Sequence, residues 1–128
     1  MVWRLGALAL LGGLALCTPA VAASQERAFL TSLSGEWIVQ GAKRTTSCRV
    51  ILKNEATIGG LEIIVAPDCT KKFAVMGDIT AWRVSERREL HFVDALRKMR
   101  VRFQTPDNAF VAIPEVDGID RLEKATRR

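Results

Sequence analysis

The chain has 128 residues, a formal net charge of +5 and a sequence pI near 9.6. That length holds one domain, and so modest a basic excess falls short of the charge density of nucleic-acid binders. One histidine and three cysteines form no recognisable zinc set, and no glycine-rich phosphate loop follows a strand and opens a helix.

The first element is a leader. Residues 1–4 carry one positive charge, residues 5–16 are apolar apart from glycines, and Ala20-Val21-Ala22 is an A-x-A cleavage signature. This predicts a signal peptide over 1–22 and a periplasmic product. Pro19 interrupts the segment before the roughly 20 apolar residues that a membrane helix needs, so no transmembrane segment is expected in the mature form. Leu14-Ala15-Leu16-Cys17 resembles a lipoprotein signal, but such signals want a small residue before the cysteine and Leu16 is not small. A soluble protein is therefore favoured over an outer-membrane lipoprotein acylated at Cys17.

Next comes an arm over 23–32, polar at Ala23, Ser24, Gln25, Glu26 and Arg27 and apolar at Phe29 and Leu30. It is either flexible or forms one helical turn running into the domain over 33–128. That domain opens on Leu33-Ser34-Gly35-Glu36-Trp37. Gly35 permits a tight turn or a close backbone approach, and Trp37 falls on the inner face of a starting strand, closing one end of a barrel.

Period-two alternation then runs along the chain. Trp37 and Val39 share a face, as do Cys48, Val50 and Leu52; then Leu61, Ile63 and Val65; Thr80, Trp82 and Val84; Leu90 and Phe92; and Met99, Val101 and Phe103. Turn chemistry separates these runs at 41–44, 54–60, 66–68, 77–78, 85–88, 94–97, 105–108 and 117–118. About eight short strands result, the last from Ile119 to Lys124, while residues 70–76 are ambiguous. Eight antiparallel strands in a small exported chain suggest an all-β, up-and-down, lipocalin-like barrel, with a two-sheet sandwich as the alternative. Trp37, Trp82, Phe92, Met99 and Phe103 would fill a dry core, although a barrel of this size could instead hold one small ligand.

Once Cys17 leaves with the leader, Cys48 and Cys69 remain in an oxidising compartment and can pair; two free buried thiols are the other reading. His91 alternates with Leu90 and Phe92 and reads as a surface or rim residue. With no nucleophile and base pair and no metal set, the chain reads as a non-enzyme without cofactor or metal of its own. The row Lys98, Arg100 and Arg102, with Arg97 nearby, is the wet side of a strand or a face for phosphate, lipopolysaccharide or an acidic partner.

Leu33-x-Gly35-x-Trp37, Cys48-Arg49-Val50-x-Leu52, Cys69, Ala81-Trp82-Arg83 and the turn at Asp94 together resemble the bacterial alkaline-proteinase inhibitor family of the Inh type. The resemblance implies a periplasmic inhibitor that forms a one-to-one complex with a secreted zinc metalloprotease of the serralysin type and is itself monomeric. It further implies that the arm from Ala23, Ser24, Gln25, Glu26 and Arg27 enters the protease cleft and brings the new terminal amine toward the catalytic zinc. The arm departs from better-known members in carrying Glu26 and Arg27 and no proline. A lipocalin-like binding module and an envelope lipoprotein are the competing functions.

Overall fold

A computed structural model describes residues 12–13, 19–105 and 109–126. Most of the expected leader, Cys17 included, lies outside the described residues. The first element is a helix, α1 (Pro19–Leu33), in a stretch rich in Ala, Gln, Glu, Arg and Leu, the residues that lose least on becoming helical. It runs through all of residues 23–32, more than the single turn expected there. Ser34 N–H still donates to Leu30 O, and Gly35, at φ +125°, then turns the chain into the first strand. A Cβ on Gly35 would meet nothing within 4 Å, so the residue is required for its conformation and not for close approach.

Eight strands follow: β1 (Gly35–Gly41), β2 (Ser47–Thr57), β3 (Gly60–Val65), β4 (Ile79–Val84), β5 (Leu90–Asp94), β6 (Met99–Gln104), β7 (Phe110–Val116) and β8 (Ile119–Lys124). Each pairs antiparallel with its sequence neighbour, and β1 pairs with β8, which closes the barrel. The sandwich alternative is thereby excluded. The short connections leave adjacent strands little choice of partner, and closure removes the free edges of an open sheet.

Side chains fill the interior. Trp82, Phe92, Phe103, Leu52, Leu90 and Ile119 are fully buried, and Phe92 meets Phe103 edge-to-face with centroids 5.0 Å apart. Two residues expected inside lie outside: Thr80 is exposed and Met99 is 42% exposed. The cause is register. One extra residue interrupts β4 between Ile79 and Ala81, and another interrupts β6 between Met99 and Val101, so the alternation changes parity at each bulge.

The largest irregularity lies in β2, where Lys53, Asn54 and Glu55 stand between the paired residues Leu52 and Ala56 opposite a single β3 residue, Glu62. Trp82 repairs the ladder there. Its Nε1–H is shared by the carbonyls of Lys53 and Glu62, each 3.0 Å away. Beyond the bulge the β2–β3 hairpin bends over the outside of β4 and β5. A Cβ on Gly59 would lie 3.5 Å from Val93 Cγ2 and 3.9 Å from Ala81 Cβ, so these two outward-facing residues are covered completely. Gly60 admits no side chain, since a Cβ there would sit 3.1 Å from the Trp82 carbonyl carbon and closer still to its oxygen.

Each end of the barrel is plugged. At one end the ambiguous segment forms a short helix, α2 (Cys69–Lys72), and a 3-10 turn (Ala74–Gly77), which bury Phe73, Val75 and Met76. Cys69 of α2 is disulfide-bonded to Cys48 of β2 with the Cα atoms 5.2 Å apart, and Asp117 in the β7–β8 turn accepts the Val75 N–H at 2.8 Å. At the other end the last turns of α1 lay Phe29, Leu30 and Leu33 on the core.

Candidate functional site

The arm residues Ala23, Ser24, Gln25, Glu26 and Arg27 lie together on α1 and are all exposed. Their base is fastened by groups that converge from the barrel rim. Trp37 Nε1–H donates to Leu33 O at 2.7 Å while its ring packs edge-on against Phe110, centroids 5.6 Å apart. Lys124 Nζ donates to Ser32 O at 3.2 Å, and Asn54 Nδ2 donates to Thr31 Oγ1 at 3.3 Å. On the flank the Arg88 guanidinium covers the Phe29 ring at 5.0 Å, a cation–π contact that also screens an apolar side chain. Gly35 and Trp37, singled out in the sequence as the start of the barrel, thus also set the exit of the arm.

Beside α1 the rim opens into a cleft of about 620 Å³. Phe29, Leu30, Leu61 and Val84 give it an apolar floor, and Gln25, Glu26, Arg83, Glu86 and Arg88 edge it. Nothing in the sequence pattern foretells this cleft, because its walls come from an α1 docking that alternation does not encode.

The basic row divides on inspection. Arg100 lies 3.3 Å from Asp78 and 3.4 Å from Asp94, so its charge is satisfied within the barrel. Arg102 Nε donates to Ile113 O at 3.0 Å and stands 3.5 Å from Glu89, which also accepts Gln104 Nε2 at 3.0 Å. Asp94 organises the β5–β6 turn: its Oδ1 accepts the N–H groups of Leu96 and Lys98, each at 2.9 Å. The Lys98 N–H bond, aided by Leu96 N–H and Arg100 and opposed by burial, holds the Asp94 carboxyl below its ordinary pKa.

His91 faces outward between Arg83 and Arg102, as the alternation implies, yet both ring nitrogens are shielded from solvent and lack a hydrogen-bond partner among the described residues. Burial, reinforced by Arg83 and Arg102 and countered by Glu89, lowers its pKa. Among the described residues no cluster of three or more His, Cys, Asp or Glu could hold a metal ion, and no helix is long and apolar enough to cross a membrane. What the surface offers is shape and charge around an exposed helical arm on a stapled barrel.

The family model described as "Protease inhibitor Inh" matches residues 29–120. The chain belongs to the Inh family of protease inhibitors. Among curated proteins none matches the chain. For this Inh inhibitor the match makes a protease the class of partner, and places the chain in a family that acts by blocking an enzyme. The matched span runs from the Phe29 end of α1 into β8, and so covers the barrel together with the docked base of the arm.

Proposed function

We propose that the protein is a periplasmic inhibitor of secreted zinc metalloproteases of the serralysin type. Cleavage after Ala22 creates a free amine on Ala23, and the residues from Ala23 to Arg27 occupy the protease cleft. The observation that carries this reading is an Inh-family barrel whose docked helix holds exposed arm residues clear of the core. Processing would leave at most residues 23–33 of α1. That is below the ~12–15 residues at which an isolated helix becomes even marginal, so only the part packed on the barrel stays helical. The tip then unwinds at little cost and can follow an extended substrate path.

The terminal amine suits the task. Its unperturbed pKa is about 8, and a nearby Zn²⁺ favours the deprotonated form as a ligand in place of the hydrolytic water. No peptide bond precedes the first residue, so nothing is offered at the metal for cleavage. The plugged and stapled barrel holds the base of the arm in place and lowers the entropy lost on binding.

The test compares the mature chain with one carrying a single extra residue ahead of Ala23, after mass spectrometry of the exported protein has fixed its first residue. The mature chain should form a one-to-one complex with a serralysin-type protease. The extended chain should inhibit far more weakly, and equal inhibition by the two would exclude the terminal-amine mechanism.

A further inference from the structure

We infer that Arg83, His91 and Arg102 on the flank of the barrel form a receptor for an acidic side chain of the bound protease. The inference rests on the inhibitor reading above and adds a contact separate from the arm. Strand register carries it. Arg83 of β4 stands directly opposite His91 of β5, which stands opposite Arg102 of β6. The rows above and below, Trp82 with Phe92 and Val101, and Val84 with Leu90 and Phe103, point inward. The three nitrogen-bearing side chains therefore share one outward line.

Such a line gathers like charge on one face of the sheet, since Arg83 and Arg102 stand two strands apart with His91 between them. Their compensation is incomplete. Arg102 has Glu89 and the Ile113 carbonyl, but the Arg83 side chain has no ion pair or hydrogen bond among the described residues. Both His91 nitrogens are hidden from solvent without a partner among the described residues, a state that buried polar groups seldom keep. When the side chains covering the ring part to admit it, a carboxylate between Arg83 and His91 gives each a partner: one oxygen accepts from the guanidinium and the other from one imidazole N–H. Arg100, two residues before Arg102 on β6, is already held by Asp78 and Asp94 and offers no such vacancy.

Position favours a protein carboxylate. Arg83 also edges the cleft beside Gln25, Glu26 and Phe29, so a protease seated over the arm reaches this line without a second binding event. The groups facing His91 are Arg83 from β4, Arg102 from β6 and Glu89 just ahead of β5, and binding of an anion would raise its depressed pKa.

Because His91 is the only histidine, its Cε1–H resonance is a single reporter. The mature chain is titrated with pH in acetate and in chloride at equal ionic strength, and then assayed against a serralysin-type protease, with Arg83→Gln in parallel. Acetate should raise the His91 midpoint in the wild type only. The substitution should weaken the protease complex about tenfold at low salt, with the difference shrinking as salt rises. An unmoved midpoint overturns the receptor. A shift in acetate combined with undiminished protease binding by Arg83→Gln overturns its assignment to the protease. Binding to phosphatidylglycerol vesicles that Arg83→Gln abolishes overturns that assignment in favour of a lipid surface. Should the wild-type chain inhibit no such protease, the assignment falls with the function proposed above, while the acetate shift still reports the anion site by itself.

Discussion

Consider Trp37→Phe. The phenyl ring keeps an aromatic edge near Phe110 but deletes the N–H that reaches Leu33 O across 2.7 Å. Leu33 is only 7% exposed, so its carbonyl is left in a place that water scarcely enters. An unpaired buried acceptor costs about 1–3 kcal/mol. The bond joins α1 to the barrel and belongs to no strand ladder, so most of that cost falls on docking of the helix. At about 1.4 kcal/mol per factor of ten, the undocked helix becomes roughly five- to a hundredfold more populated. The exposed bonds from Lys124 and Asn54 do not make up the loss. Hydrogen exchange resolves the effect: the Ser34 amide, which donates to Leu30 O, should lose that much protection while amides of β5 and β6 lose clearly less. Inhibition of the protease should weaken in step, because the base of the arm is less often in place. Equal loss of protection in helix and strands would show that the indole bond does not dock α1.

Trp82→Phe acts on the barrel itself. It leaves the Lys53 and Glu62 carbonyls without their donor and a gap where a fully buried indole stood, so urea unfolding should show a loss of about 2–4 kcal/mol. Replacing Cys48 and Cys69 together by alanine removes a cross-link spanning 21 residues and should lower stability by about 3 kcal/mol on the chain-entropy account. That double substitution should leave exchange at the arm end nearly unchanged. For Asp94 the sign follows from its depressed folded pKa: the carboxylate adds stability above its unfolded value of about 3.9, and that contribution disappears as pH falls through the folded value. Asp94→Asn should therefore be less stable than the wild type at neutral pH, and the two unfolding midpoints should converge on acidification.

Strand alternation made the barrel legible, because inward Trp37, Val50, Leu52, Phe92 and Phe103 recur with the period that a half-buried sheet imposes. It failed at Thr80 and Met99, where a single added residue reverses parity and leaves no mark in composition. For residues 23–32 the sequence allows either a flexible segment or one helical turn, whereas the structure has helix throughout them. Residues 23–33 do carry good helix formers, yet α1 is placed by Trp37, Lys124 and Phe29 contacts that only the folded barrel brings together. The flank receptor was the least visible feature. Lys98, Arg100 and Arg102 stand out along one strand, whereas Arg83, His91 and Arg102 become neighbours only when β4, β5 and β6 take their register.

The two plugs of the barrel differ in kind. One is tied to β2 by a sulfur–sulfur bond, which a fluctuation cannot break; the other rests on an indole bond, an aromatic edge and a few exposed contacts, the kind that local opening breaks first. Breathing of the molecule is thus polarised along its axis, stiff at the cystine pole and yielding at the opposite one. The yielding pole is the one from which the proposed arm would reach a protease.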